Sequence, residues 1–255
     1  MIGTHIRKSG QFFTSLAAFF EQEDGNKKKP VQIFSGAAKW WRRPMPTLQD
    51  MEATKTYITE NELQVFVHSI YLINLAAPRS TFMTKPFMCL KWELEFGAQM
   101  GFKGVVVHCG KYVKLTPEDG LSNMLTNMRA MLPYITPSCP LLLETCAGQG
   151  TELCKTYEGF KAFYANFTDE ERQKIRICID TCHVFAAGHE PLKFITDWDN
   201  DFPGSLVLVH FNDSKEGCGC CKDRHAAPGT GEIGLKKMTD IARWCIAHAI
   251  PMVVE

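Results

Sequence analysis

Residues 175–188 read IRICIDTCHVFAAG, and the first half of that stretch decides the fold. IRICI is an apolar run too short for a helix, and it ends on Asp180 with His183 three positions later. Runs of the same kind recur on either side: IGTHI from 2, VQIFSG from 31, QVFVHS from 64, GVVVHC from 104, LLLET from 141, LVLVHFND from 206 and PMVVE from 251. The eight starts lie 29, 33, 40, 37, 34, 31 and 45 residues apart, the span of a strand, a crossover helix and two short loops. The runs are almost continuously apolar rather than alternating, as in a parallel sheet covered on both faces.

The intervening stretches carry helix signals. Thr116 can cap a helix with Pro117 in its first turn, and Leu121, Met124, Leu125, Met128, Met131 and Leu132 then share one face. TDEE at 168–171 has the form of a capping box, and Leu235, Met238, Ile241, Ala242, Cys245 and Ala249 form a further stripe. The methionines on these faces read as core. GNKKKP (25–30) and KEGCGCCKD (215–223) read as loops. Eight strands alternating with helices, without a long polar linker, favour an α/β fold, a (β/α)8 TIM barrel, over a doubly wound open sheet. The expectation is one barrel domain over residues 1–255, ending at its eighth strand.

The chain has 255 residues, 28 basic against 28 acidic, and 45% of it is hydrophobic. That excludes a disordered or fibrous chain. Zero net charge also means that any attraction to phosphates comes from local clusters or bound cations. Eleven cysteines, odd in number and scattered through apolar runs, fit reduced thiols better than a disulfide framework. Arg7 and Lys8 before FFTSLAAFF (12–20) imitate a signal peptide, but Phe12, Phe13, Leu16, Ala17, Phe19 and Phe20 fall at helical spacing. No uncharged run reaches the roughly 18 residues of a membrane span. A soluble intracellular monomer, cytoplasmic or nuclear, with no membrane partner is expected.

Barrel active sites lie at the carboxyl ends of the strands, so the polar residues that interrupt the apolar runs there matter most. His68 ends the third run, His108 the fourth, Glu144 the fifth, Asp180 the sixth with His183 after it, His210 the seventh and Glu255 the eighth. Asp223 and His225 follow in the loop after the seventh. A lone histidine is more often a hydrogen-bonded core residue than a ligand, but five histidines and four carboxylates converging on one face need a compensating charge. Metal ions supply it. Imidazole and carboxylate without thiolate suit zinc, manganese or iron, and nine ligands exceed one four-coordinate ion, so two or three metals are implied. Paired metals suit phosphate-ester hydrolysis; a single divalent ion polarising a carbonyl suits a sugar isomerase, and composition does not separate the two.

CIDTCHVFAAG (178–188), HFNDSKEGCGCCKDRHAAPGTGEIG (210–234), FVHSIYLINLA (66–76) and VVVHCG (105–110) resemble the signature segments of the endonuclease IV family of apurinic/apyrimidinic endonucleases, from GTHI at residue 3 to Glu255. The resemblance implies a zinc-dependent (β/α)8 barrel that cuts double-stranded DNA 5′ to an abasic site, leaving a 3′-hydroxyl and a 5′-deoxyribose phosphate. By it, His68 and His108 bind one Zn2+, and Glu144 bridges that ion to a second held by Asp180, His210 and Glu255. His183, Asp223 and His225 bind a third, with manganese or iron as the alternative at one site. A hydroxide bridging the first two ions attacks phosphorus, which makes Glu144 and Glu255 the carboxylates closest to catalysis. Tyr71 matches a family tyrosine that enters the DNA stack. Lys39 and Trp40 stand where the family often has arginine and glutamine, so the wedge differs here, and the KWWRR run (39–43) interleaves aromatics with charge as nucleic-acid surfaces do. Trp41 reads as structural. His5 faces the same mouth, to contact phosphate or to orient a ligand. Asn212, Asp213 and Ser214 read as support for the ligands or as DNA-backbone contacts.

GTGEIG (229–234) fits a dinucleotide-binding pattern but follows a loop rather than a strand, so that reading fails, although its amides remain candidates for touching DNA phosphate. Cys218, Cys220 and Cys221 lack paired metal-ligand spacing and are expected to be free thiols. Glu255 is the last residue of the sequence, so the barrel is expected to lack an eighth helix, through truncation or a missing tail, with a terminal carboxylate beside the ligands. The competing functions are a metal-dependent sugar isomerase or epimerase on the same barrel, and a non-catalytic module that binds abasic DNA. The Asp223-Arg224-His225 segment, with its third-metal ligands, argues against the isomerase.

Overall fold

The computed structural model describes residues 1–22, 28–43 and 45–255. Residues 25–27 of the expected GNKKKP loop lie outside the described residues. Eight parallel strands close a barrel: β1 (Ile2–Ile6), β2 (Val31–Phe34), β3 (Val65–His68), β4 (Val105–His108), β5 (Leu141–Glu144), β6 (Ile175–Asp180), β7 (Leu206–His210) and, eighth in the barrel, β10 (Met252–Val254). Each pairs with its sequence neighbours, and β1 closes the ring against β10 with Ile2 opposite Met252. The short strands β8 (Asp213–Ser214) and β9 (His225–Ala226) form an antiparallel ribbon above β7.

The helices between the strands are α1 (Phe12–Gln22), α2 (Leu48–Glu60), α3 (Arg79–Phe82), α4 (Lys85–Met100), α5 (Pro117–Met131), α6 (Tyr157–Tyr164), α7 (Asp169–Lys174), α8 (Thr181–Ala186), α9 (Pro191–Asp201) and α10 (Gly234–Ala247). The expected caps are present. Asp119 N–H donates to Thr116 Oγ1 at 3.1 Å, and Thr168 and Glu171 satisfy each other's amides in a capping box. Met124, Met128 and Met131 of α5 are fully buried, as the stripe predicted. The α10 stripe is shorter than expected: Leu235 is 69% exposed and Ala249 lies beyond the helix in a left-handed turn, while Met238, Ile241 and Cys245 are buried and Ala242 packs partly buried against the core.

Two apolar layers result. The larger lies between barrel and helices. The smaller fills the barrel interior with Phe66, Val106, Leu142, Cys178, Leu208 and Val253, one from each of six strands. Side chains alternate along a strand, so two positions beyond each of these the chain points inward again. Those next inward positions are His68, His108, Glu144, Asp180, His210 and Glu255. The polar ring is therefore the uppermost layer of the barrel core, and the strand pitch that packs the hydrophobes also aims the ligands.

Candidate metal centre

All nine predicted metal ligands come together at the carboxyl end of the barrel. His68, His108 and Glu144 place one nitrogen or oxygen each within 4.8 Å of one another; so do Glu144, Asp180, His210 and Glu255, and so do His183, Asp223 and His225. Cys182, which sequence reasoning left out, joins Asp180 and His225 in a fourth such group. The connection runs through two residues. Glu144 serves the first two groups, and Asp180 offers Oδ1 to the His183 N–H at 2.9 Å while Oδ2 lies 3.5 Å from His225 Nε2. Asp180 thus caps α8 and faces the centre at once.

Glu144 Oε1 is hydrogen-bonded to His210 Nδ1 at 2.9 Å, but several other close pairs form no hydrogen bond. Glu144 Oε2 lies 3.3 Å from His68 Nε2 and 3.1 Å from His108 Nε2, and His225 Nε2 lies 3.0 Å from Asp223 Oδ1. Yet Glu144 Oε2, His183 Nε2 and His225 Nε2 are buried with no hydrogen-bond partner among the described residues. The outer ring nitrogens explain why. His68 Nδ1 lies 2.7 Å from the Ser69 carbonyl and His183 Nδ1 2.9 Å from the Thr145 carbonyl. Carbonyls only accept, so these nitrogens carry hydrogens, and each ring, when neutral, turns its Nε2 lone pair inward. Lone pairs and carboxylates converging in a buried space are the chemistry of a cation site, and the residues present fit a divalent metal.

The electrostatics agree. Burial alone would raise the Glu144 carboxyl, but His108 and His210 hold it well below the usual carboxylate range. Burial likewise opposes ionisation of Glu255 and Asp223, and His210 and His5 for the first, His183 and His225 for the second, hold them low. Burial would depress His183 and His210, yet both are driven well above the ordinary imidazole value, the first chiefly by Asp180 and Asp223, the second by Cys178, Glu255 and Glu144. His5 differs: its burial outweighs Glu255 and lowers it.

A cavity of about 750 Å3 opens over this layer, lined by His5, Arg7, Phe34, Tyr71, His225 and Glu255 among others. Tyr71 is 51% exposed, its ring 5.5 Å from His68 and 5.6 Å from His108. Lys39 and Trp40 are exposed but do not line the cavity, where the β2–α2 loop instead contributes Gly36, Ala37 and Ala38. Trp41 is half-buried against the core. Sequence reasoning had noted Arg7 only as part of a signal-like segment. It missed Gln32 altogether, a fully buried residue beside His5, His210 and Glu255.

Two readings are corrected. The amides of Gly229, Gly231, Ile233 and Gly234 do not await a phosphate, because Asp213 accepts all four at 2.9 to 3.3 Å. Only glycine fits at 231, where a Cβ would stand 2.2 Å from the Ser214 carbonyl oxygen. Asn212, Asp213 and Ser214 are fully buried, which removes them as DNA contacts; Asn212 supports Asp180 through a 2.7 Å hydrogen bond. Cys218, Cys220 and Cys221 are free thiols, and among the described residues no helix is long and apolar enough to cross a membrane.

Residues 30–243 match the profile of the xylose isomerase-like TIM barrel family. The probable endonuclease 4 of Haloquadratum walsbyi is 32% identical over 263 residues, covering 100% of this chain and 91% of the relative. That of Trichlorobacter lovleyi is also 32% identical, over 264 residues, covering 100% and 92%. The crystal structure of endonuclease IV from Thermus thermophilus superposes with a TM-score of 0.82 at 26% identity, covering 100% of this chain and 91% of that one. A D-tagatose 3-epimerase-like protein superposes at 0.71 with 16% identity over 99% of this chain and 89% of that one, a likeness of fold alone. With its barrel, its converging ligand set and relatives that align along its whole length, the chain belongs to the endonuclease IV family of xylose isomerase-like TIM barrels.

Proposed function

We propose that the chain is a DNA repair endonuclease that hydrolyses the phosphodiester 5′ to abasic sites in duplex DNA, leaving a 3′-hydroxyl and a 5′-deoxyribose phosphate. The observation that carries the reading is the gathering of nine imidazole and carboxylate groups at the carboxyl end of the barrel beside an open cavity, in a chain whose relatives along its whole length are named as probable endonuclease 4. His68, His108 and Glu144 would hold one zinc ion, Glu144, Asp180, His210 and Glu255 a second, and His183, Asp223 and His225 a third. Bound there, the ions would supply Lewis acidity, a low pKa for water and neutralisation of charge on a phosphodiester.

The chain's own residues do the rest. Glu144 and Glu255 keep their carboxylates ionised inside the barrel, because the surrounding imidazoles outweigh burial. Tyr71 offers a half-exposed ring at the rim for stacking against the unpaired sugar or base. Its hydroxyl, pushed up to about 12 by burial and then by Glu255, Glu144 and Asp223, stays protonated at neutral pH. Arg7 and His5 line the same cavity and can meet a phosphate there. Lys39 and Trp40 stand outside it and would touch DNA only beyond the reacting phosphate.

The test is incision of a duplex carrying a tetrahydrofuran abasic analogue, which cannot β-eliminate, by protein of measured metal content. Cleavage 5′ to the analogue is expected. Tight binding without cleavage by fully metallated protein would replace this reading with the binding module, and ketose conversion without cleavage would replace it with the isomerase.

A further inference from the structure

Gln32 belongs to none of the recognised motifs, yet it lies at the join of the site. It sits on β2 with no exposed surface, opposite His5 on one side and Phe66 on the other. A buried primary amide must place two N–H groups and a carbonyl. Gln32 Nε2 lies 2.6 Å from Glu255 Oε1 and 3.0 Å from His5 Nδ1, and its Oε1 lies 2.8 Å from His210 Nε2.

The chemistry orients two of these neighbours. A carboxylate oxygen only accepts, so the NH2 end faces Glu255 and the carbonyl faces His210. A carbonyl only accepts, so His210 Nε2 carries a hydrogen; without metal Nδ1 can also donate to Glu144 Oε1, and in the neutral ring that a cation requires the lone pair falls at Nδ1. That nitrogen lies 2.9 Å from Glu144 Oε1, 3.2 Å from Glu255 Oε2 and 3.8 Å from Asp180 Oδ2. The second amide hydrogen faces His5 Nδ1, which also lies 3.3 Å from Glu255 Oε1, so Gln32 and Glu255 share that nitrogen, while His5 Nε2 is buried with no partner among the described residues. His68 and His183 obtain the same control from backbone carbonyls, which no substitution removes. His210 obtains it from a side chain.

We propose that Gln32 is a positioning residue of the metal centre: its single amide sets His210 to bind through Nδ1 and holds Glu255 in place beside His5. This rests on reading the ligand set as a metal centre and is independent of whether DNA is the substrate. Gln32 acts through its three neighbours.

The test uses zinc-loaded protein with 15N-labelled histidine. In the wild type, His210 is expected to show a hydrogen on Nε2 and a metal-shifted Nδ1; a hydrogen on Nδ1 overturns the proposal whether or not any variant folds. Gln32→Met keeps the shape and removes the amide. It is expected to weaken zinc binding roughly 10- to 100-fold in competition with a chelating dye, and to expose the His210 Nε2–H to faster solvent exchange. Gln32→Glu keeps an oxygen opposite His210 and should retain the protected Nε2–H. Unchanged zinc affinity and unchanged exchange in Gln32→Met, or loss of the protected hydrogen in Gln32→Glu, overturns the assignment. Failure to cut DNA would count against the nuclease and leave these readouts intact.

Discussion

Six of the nine proposed ligands face inward because of one residue's place in a strand alternation, and single substitutions test that placement. Glu144 serves two groups of ligands and is buried with imidazoles on several sides. Glu144→Ala is expected to lower incision by several orders of magnitude and reduce the bound metal, while circular dichroism stays native; normal cutting would remove Glu144 from the centre. Tyr71→Ala should weaken binding to abasic duplex by about 1 to 3 kcal/mol if the ring stacks. Binding titrations that show no change would leave Tyr71 as a wall of the cavity only. The nine polar residues were legible in the sequence because each interrupts or follows an apolar run at its carboxyl end. Gln32 was not, because it stands second in VQIF, where only the strand register reveals that it faces the barrel interior beneath His68.

Loops hold the site at the scale of elements. The β7–α10 connection is gathered by Asp213, whose two oxygens accept five amides from residues 214 to 234. Asp213→Asn turns one acceptor into a donor facing donors, and a loss of about 3 kcal/mol is expected in chemical denaturation. A loss under about 0.5 kcal/mol, the size of an ordinary surface change, would mean the turn holds itself. A glycine-rich hexapeptide does not announce that a carboxylate sixteen residues earlier occupies it, so this part of the site was closed to sequence reading. Caps and strand starts were open to it, because they depend on neighbours in sequence.

The β2–α2 loop depends on a second buried carboxylate. Glu93 accepts from Ser35 Oγ at 2.6 Å and lies 3.9 Å from Arg43, whose guanidinium also donates to the Trp40 carbonyl. Burial, opposed by Ser35 and Arg43, pushes Glu93 up to about 7. Between pH 4.5 and 7 the folded state therefore binds more protons at Glu93 than the unfolded state does, and stability from this group falls as pH rises. Above pH 7 the deficit levels off at on the order of 3 kcal/mol. Glu93→Gln is expected to flatten this slope, gaining relative to wild type as pH rises from 5 to 8. Parallel stability curves for the two proteins across that range would refute the assignment.

Taken as a whole, the molecule carries no net charge and concentrates its electrostatics in one layer. His68, His183, His210 and His225 all have raised pKa values despite burial, through the carboxylates they face. Without metal, their contribution is fully present below the unfolded imidazole value and is lost as pH rises through the folded one. Metal binding needs the neutral rings and runs the other way. The thermal midpoint of chelated protein should therefore fall further below that of zinc-loaded protein at pH 9 than at pH 6. A gap that is constant with pH would mean that these histidines are not the ligands.

The interior below the polar layer is closed. Phe66, Val106, Leu142, Cys178, Leu208 and Val253 fill the bore of the barrel, and the cavity beside Tyr71 lies at the carboxyl end above them. Among the described residues the bore is plugged below the centre, so on the proposed reading ions and substrate would share the approach beside Tyr71. On the proposed reading, metals would have to load before a duplex seats over the cavity, and a seated duplex would hold them in until it leaves.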